Sequence, residues 1–233
     1  MPTTTLDLST ATLIDLTHAL SPDIPHWEAG CGFNHTTVHD YEDSTGDVKF
    51  RVQKIESYCG IGTHMDAPAH CIPDARTIAD IPLKNLITPC VMIDVADKAG
   101  EHYLVSCDDI IQFESTHGRI NKDTLVIFHT GWSQYWNEPQ KYRNDLVFPT
   151  LSNPAAELLL ERQVTGMGID TLSPDSPTSG FPVHKTLLGA DKFIIENVAN
   201  AHLLPPVGAY ILALPLKIQN GTEAPIRLVG IAG

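Results

Sequence analysis

The chain has 233 residues, of which 42% are hydrophobic, and a formal net charge of -13. Polyphosphates and anionic membrane surfaces attract basic proteins, so this charge argues against nucleic acid or a membrane as a partner. The sequence contains no run of about 18 apolar residues, the length that a membrane-spanning helix needs. The N-terminus lacks the basic segment of a secretion signal, and the five cysteines form no C-x-x-C pair. We therefore predict a cytoplasmic protein in which most cysteines are small buried side chains.

Short apolar runs rich in Val, Ile and Leu predict most of the secondary structure. In chain order, the predicted strands cover residues 12–17, 91–95, 124–130, 166–170, 192–198, 209–218 and 226–232. Most of these runs are too continuously apolar for one face to contact water, which indicates a buried sheet. Residues 50–57 alternate between apolar and polar instead, which predicts a strand with one face in water.

Helical signals are fewer. Ser106 and Asp109 have the spacing of a capping box ahead of an apolar stretch, and Asn153 precedes a proline and a Leu-rich segment. Residues 78–87 are a weaker helix candidate, because a proline interrupts them. Strands that alternate with a few helices, without a linker or a repeat, predict a single α/β domain over residues 1–233 with a mixed sheet.

Residues 58–70, YCGIGTHMDAPAH, concentrate the side chains that can do chemistry. Residues i and i+2 of an extended segment point to the same side, so His64 and Asp66 can converge on one point. Imidazole nitrogen and carboxylate oxygen both suit zinc or manganese, and a carboxylate can bridge two ions. His70 follows in the same segment. The spacing alone leaves open a loop whose polar groups merely satisfy one another.

A metal site needs further ligands, and His184 and Glu196 are the best candidates. Glu196 interrupts a strongly apolar run, where an ionised carboxylate is costly unless it is paired or bound to metal. An outward-facing strand position is the alternative for Glu196. His184 follows Pro182 in a predicted loop and, taken alone, could equally be a surface residue.

These motifs resemble the cyclase-like metal-dependent hydrolases, a family that includes bacterial kynurenine formamidase and isatin hydrolase. The family signature is H-x-G-T-H-x-D-x-P-x-H, and residues 60–70 of this chain read GIGTHMDAPAH. The similarity continues in residues 13–27, 131–136, 168–175 and 184–231. The resemblance implies a swivelling β/β/α domain with a mixed, mostly buried sheet and few helices, and a homo-oligomer, either a dimer or a tetramer.

By motif match, the resemblance assigns four metal ligands, His64, Asp66, His184 and Glu196, with Asp66 as the potential bridge. It assigns His70 as the catalytic base or acid, a role that suits an imidazole pKa of about 6.5. The expected cofactor is Zn²⁺ or Mn²⁺. The expected reaction is hydrolysis, by a metal-activated water, of an amide-type C–N bond in a small aromatic or cyclic substrate, such as an aryl formamide or a cyclic amide.

Gly60 departs from the family pattern, because it stands where the signature has its first histidine. In members with two metals that histidine belongs to one of the two sites, so we predict one ion per chain. Cys59 could offer a thiolate, but adjacent residues of an extended segment face opposite ways. A lactone or cyclic ester hydrolase, and an inactive binding protein of the same fold, are the alternative functions.

Two residues are predicted to contact the substrate. Trp27, preceded by Pro25, can offer an aromatic wall to a planar molecule, although it could also be an ordinary core tryptophan. Ser173, with Asp175, is predicted to line the same cleft, although a proline-rich turn would explain both residues equally well. The sequence has no G-x-S-x-G elbow, P-loop or dinucleotide motif, so nothing supports a serine hydrolase, a nucleotide site or an NAD site.

Overall fold

The computed structural model describes residues 8–28, 30 and 32–233. The strands are β1 (Thr12–Asp15), β2 (Phe33–His39), β3 (Val52–Ser57), β4 (His64–Asp66), β5 (Ile87–Asp94), β6 (Leu104–Val105), β7 (Leu125–His129), β8 (Thr150–Leu151), β9 (Gly166–Ile169), β10 (Phe193–Glu196), β11 (Ala209–Pro215) and β12 (Glu223–Ala232). The α-helices are α1 (Leu83–Leu86), α2 (Cys107–His117), α3 (Pro139–Arg143), α4 (Asn153–Glu161) and α5 (Pro182–Gly189). No helix in this part of the chain is both long enough and apolar enough to span a membrane.

Eight of the strands form one sheet, in the order β1-β12-β11-β5-β7-β9-β10-β4. The strands β5, β7, β9 and β10 run parallel to one another, and the other pairs in this sheet are antiparallel. β4 also pairs with β12, so the sheet closes on itself. The closed mixed sheet with few helices confirms the predicted fold class.

Apolar side chains fill both sides of the central strands. In β7, Leu125 and Ile127 belong to one buried cluster, whereas Val126 and Phe128 belong to a second cluster beneath the helices. All five residues of β7 are buried. A strand that is covered on both faces has no polar face to show, which explains why its sequence is continuously apolar.

The two stronger helix predictions are confirmed by α2 and α4. The Asp109 carboxylate accepts a hydrogen bond of 2.8 Å from the Ser106 backbone N–H at the start of α2, as in a capping box. Asn153, which precedes the proline, is the first residue of α4, and the cap is Ser152, whose hydroxyl accepts a hydrogen bond of 3.3 Å from the Ala155 N–H. The weak candidate ahead of β5 forms only a 3-10 turn and the four-residue α1.

β2 and β3 form a separate two-stranded ribbon, here called the β2–β3 ribbon. We predicted that β3 would bury one face, but every residue of β3 is exposed. Val38, Phe50 and Ile55, in and beside the ribbon, are each more than half exposed. The buried face that the alternating pattern predicts is therefore not found among the described residues of β3.

The prediction that most cysteines are buried is wrong for those that the structure describes. Cys90 is buried, Cys59 and Cys107 are partly exposed, and Cys71 is exposed. All four are free thiols, in keeping with the expected lack of a disulfide framework. Cys31 lies outside the described residues, as do residues 1–7, on which the prediction about a secretion signal falls.

An ion pair joins α2 to the end of α4. Arg162 donates two hydrogen bonds to the Glu114 carboxylate, of 2.7 and 2.9 Å, and both side chains are largely buried. The bond from Arg162 holds the pKa of Glu114 below its ordinary value of 4.5, although burial opposes this. Glu114→Gln should therefore lower the free energy of unfolding at pH 7 by about 1.5 to 3 kcal/mol, the usual contribution of a hydrogen bond to a charged group.

The pH dependence of this effect has a definite sign. The pKa of Glu114 is depressed in the folded state, so its stabilisation is present above the unfolded pKa and is lost as the pH falls through the folded pKa. Urea unfolding of wild type and Glu114→Gln at pH 7 and at about pH 3 should show the difference shrinking at the acid end. An equal difference at both pH values would contradict this assignment.

Candidate metal centre

Strand β4 presents His64 and Asp66 on one face, as their i, i+2 spacing predicts. Both are buried, with 4% and 1% of their surface exposed. The strands on either side add a carboxylate each, because Glu196 of β10 lies opposite His64 and Glu223 of β12 lies opposite Asp66. Directly opposed residues of antiparallel strands share a face, so all four side chains point to the same side of the sheet.

His184 reaches this group from a helix. We predicted a loop here, but Pro182 at the first helical position begins α5. The Asp175 carboxylate accepts hydrogen bonds from the backbone N–H groups of Val183 and His184, of 3.2 and 3.0 Å, and from His184 Nδ1, of 2.8 Å. This fixes the ring and leaves His184 Nε2 facing Asp66 Oδ2 at 3.7 Å.

The four predicted ligands converge. His64 Nδ1 donates a hydrogen bond of 2.9 Å to the Gly62 carbonyl, which leaves His64 Nε2 facing Asp66 Oδ1 at 3.4 Å and Glu196 Oε2 at 3.3 Å. His184 Nε2 faces the other oxygen of Glu196, Oε1, at 3.5 Å. Each imidazole is therefore anchored through Nδ1 and directs Nε2 at the same two carboxylates, the arrangement in which a histidine can bind metal.

The electrostatics of the group favour positive charge at its centre. Burial alone would lower the pKa of both histidines. The carboxylates of Asp66 and Glu196 more than offset this for His64 and raise its pKa well above the ordinary value. The same two carboxylates, together with Asp175, raise the pKa of His184 well above the ordinary value. Burial would raise the pKa of Asp66, but its contacts with His184 and His64 lower it. A cation between the carboxylates would balance the same negative charge that the protonated imidazoles balance when no cation is bound.

The donor set fits a divalent metal ion. Among the described residues, no donor forms a hydrogen bond with either carboxylate oxygen of Asp66, although both oxygens are buried. A buried carboxylate without a donor is costly, and contact with a cation would remove that cost. Two triads place their ligand atoms within 4.8 Å of one another: Asp66, His70 and His184, and His64, Asp66 and Glu223. Asp66 belongs to both triads, as a bridging or central ligand would.

His70 lies at the edge of this group. A third of its side chain is exposed, and its Nδ1 lies 3.3 Å from Glu223 Oε2. Burial would lower the pKa of His70, but the contact with Glu223 raises it. Glu223 was not predicted, because the apolar run that predicts this strand begins at residue 226 and the sequence carries no signal that pairs residue 223 with Asp66.

The ligand group lies in a cleft of about 650 Å³, a size that suits a small molecule. Trp27 and Ser173, the two predicted substrate contacts, both line this cleft, together with Phe181, whose ring centre lies 6.0 Å from that of Trp27. The Ser173 hydroxyl accepts a hydrogen bond of 3.2 Å from the Asp175 N–H, so it also shapes the turn. Cys59 lines the cleft too, but it belongs to neither ligand triad among the described residues.

Asp175 is expected to position His184 and not to bind metal itself. Asp175→Asn keeps one carbonyl acceptor but removes the charge that holds the His184 ring. The affinity for Zn²⁺ or Mn²⁺ should therefore fall about 10- to 100-fold, the usual effect of replacing a residue that hydrogen-bonds to a metal-binding histidine. Titration with a competing chelator measures this. Asp123→Asn, in an exposed loop, is the control and should bind like wild type; equal affinity in Asp175→Asn would remove Asp175 from this role.

Comparison with known proteins gives a consistent set of relatives. The chain is 31% identical over 186 residues to the isatin hydrolase of Roseibium aggregatum, a match that covers 73% of this chain and 70% of the relative. It is 25% identical over 231 residues to the kynurenine formamidase of Bacillus anthracis, with 95% and 98% covered. These relatives confirm the predicted enzyme class, a metal-dependent hydrolase that acts on C–N bonds other than peptide bonds.

Solved structures agree with the fold. The structure of isatin hydrolase A from Ralstonia solanacearum matches with a TM-score of 0.88 at 29% identity, covering 97% of this chain and 93% of that one. A protein from Bacillus stearothermophilus described as a predicted metal-dependent hydrolase matches with a TM-score of 0.75 at 26% identity, covering 96% and 99%. The Cyclase family model matches residues 14–176, and the chain belongs to the Cyclase family.

Proposed function

We propose that the chain hydrolyses an amide-type C–N bond in a small aromatic or cyclic substrate, with one Zn²⁺ or Mn²⁺ ion held by His64, Asp66, His184 and Glu196. One observation carries the proposal. The buried Asp66 carboxylate has no hydrogen-bond donor among the described residues, and the Nε2 atoms of two anchored histidines face it at 3.4 and 3.7 Å. An inactive binding protein of the same fold would have no chemical reason to keep this arrangement at the base of a cleft.

A divalent ion at this site supplies Lewis acidity, which lowers the pKa of a water molecule from about 15.7 towards roughly 7. The residues of the chain supply positioning and proton transfer. Gly62 and Asp175 hold the two histidine rings through their Nδ1 atoms. His70 has its Nδ1 at Glu223, which leaves Nε2 to take a proton from the attacking water and return it to the departing nitrogen.

The walls of the cleft favour a planar substrate. Trp27 and Phe181 form an aromatic corner, and Phe181 in turn contacts the His184 ring edge-on, with ring centres 5.8 Å apart. An aromatic ring held by this corner would lie beside the metal ligands. Isatin is a cyclic amide fused to an aromatic ring and N-formylkynurenine is an aryl formamide, so we propose these two classes as substrates.

The test combines metal removal with a substrate screen. Protein purified without a metal-affinity column should contain at least about half an equivalent of zinc or manganese. It should hydrolyse isatin or N-formylkynurenine, lose that activity after dialysis against a chelator, and regain it when Zn²⁺ or Mn²⁺ returns. Faster turnover of simple lactones would favour a cyclic ester hydrolase instead. Less metal than this, with no turnover of any of these substrates, would favour the inactive binding protein.

We propose, further, that the chain is a single domain that forms a homo-oligomer, either a dimer or a tetramer. A two-stranded ribbon is marginally stable by itself in water, and Val38, Phe50 and Ile55, in and beside the β2–β3 ribbon, are each more than half exposed. A second copy of the chain would bury them, so sedimentation at micromolar concentration should show a species of at least twice the monomer mass. The absence of nucleic acid and membrane partners stays a prediction supported by the net charge of -13, and the cytoplasmic location stays a prediction supported by the cysteine pattern.

A further inference from the structure

Glu223 lies where a metal ligand would be expected, although the family signature does not include it. As the first residue of β12, it lies directly opposite Asp66 of the central β4 strand. Its side chain is only 22% exposed, and its carboxylate forms a triad with His64 and Asp66 in which the ligand atoms lie within 4.8 Å of one another. Glu223 therefore meets the same group of side chains from the side opposite Glu196.

Gly60 makes this position possible. A Cβ atom built on Gly60 would overlap Glu223 Oε1 and lie 3.4 Å from His64 Nε2. The φ angle of Gly60 is not positive, so its backbone does not itself require glycine. The absence of a side chain at position 60 is thus what admits the Glu223 carboxylate to the group.

The surroundings of Glu223 leave one of its oxygens available. Oε2 faces His70 Nδ1 at 3.3 Å and accepts a weak hydrogen bond of 3.5 Å from the Thr222 hydroxyl. Oε1 points towards Gly60, and in the described part of the chain no lysine or arginine forms an ion pair with Glu223. The independent sign of a cation at this place is Asp66, whose two buried oxygens lack any hydrogen-bond donor among the described residues.

We propose that Glu223 is a metal ligand of this chain. One of its carboxylate oxygens binds the ion that His64 and Asp66 hold, and the carboxylate occupies the space that a histidine side chain at position 60 would fill. The inference rests on the proposed metal-dependent function and deepens it. A carboxylate in place of an imidazole keeps the ligand count and adds one negative charge, which suits the hard oxygen-preferring Mn²⁺ at least as well as Zn²⁺.

The test measures the affinity for Mn²⁺ and Zn²⁺ by competition with a chromophoric chelator, independently of activity. Glu223→Ala should bind each ion about 10- to 100-fold more weakly than wild type, and Glu223→Gln should be weakened less. Gly60→Ala should also weaken binding, because its methyl group displaces the Glu223 carboxylate. The double variant Gly60→His with Glu223→Ala should recover at least about tenfold in affinity over Glu223→Ala alone, since an imidazole then fills the vacated space.

The control is Glu28→Gln, a carboxylate on the exposed rim of the same cleft, which should bind like wild type. Circular dichroism of the metal-free variants checks that each one folds. Wild-type affinity in both Glu223 variants, with reduced turnover, would overturn the proposal and show that Glu223 acts only on His70. A wild-type chain that binds neither ion would overturn the proposed function as well, so the two failures can be told apart.

Discussion

Replacing Asp66 by asparagine is expected to abolish tight binding of Zn²⁺ and Mn²⁺ and to reduce hydrolysis by roughly 10³-fold or more, equivalent to about 4 kcal/mol. Asp66 is the one residue shared by the two ligand triads, and both of its oxygens face an imidazole nitrogen. Asparagine has nearly the same shape, but it carries no charge and presents N–H donors in place of one oxygen. Metal analysis after dialysis, together with steady-state kinetics, measures both effects.

The response of the unfolding temperature to metal separates a ligand role from a structural one. Although burial opposes it, the contacts of Asp66 with His184 and His64 lower the pKa of its carboxylate, so the ionised form stabilises the metal-free chain and Asp66→Asn should unfold at a lower temperature than wild type. Added Zn²⁺ should raise the unfolding temperature of wild type and leave that of Asp66→Asn unchanged. An equal rise in both proteins would show that Asp66 is structural and does not bind the ion.

Replacing His70 by alanine is expected to lower turnover about 10²- to 10⁴-fold, the usual contribution of a general acid or base, while metal content stays at the wild-type level. His70 lies at the rim of the ligand group, with a third of its side chain exposed and its Nδ1 held at Glu223. That placement gives access to both water and substrate, which a proton-transfer residue requires. Elemental analysis and kinetics on the same samples measure the two quantities.

His202→Ala is the matched control, since His202 is an exposed histidine outside the cleft, and it should keep wild-type turnover. Undiminished activity in His70→Ala would remove His70 from the mechanism. Loss of metal together with activity would instead make His70 a ligand, in the triad that it forms with Asp66 and His184.

The parts of the site that sequence reasoning could find are those set by local geometry. His64 and Asp66 share a face because alternate residues of any strand do so, and Glu196 stood out because it interrupts an apolar run. The mixed, mostly buried sheet followed from the order of apolar runs and from the family resemblance. These features depend on patterns within short, continuous stretches of the sequence.

The features that were missed depend on contacts between distant segments. Glu223 belongs to the site only because β12 pairs with β4, a register that no local pattern encodes. The helix that carries His184 is short and begins at a proline, so its apolar period is hard to distinguish from a loop. The exposure of β3 depends on what packs against the β2–β3 ribbon, which an alternating pattern does not reveal.

The closure of the sheet by β4 also constrains when the site can form. β4 is three residues long and is held between β10 and β12, so His64 and Asp66 have no complete strand pairing until both partners are in place. β12 lies far later in the sequence than β4, and its last residues, Val229–Ala232, pair with β1. During synthesis on the ribosome, the imidazole and carboxylate groups therefore assemble only after β12 has emerged, and metal uptake follows the pairing of β12 with β4.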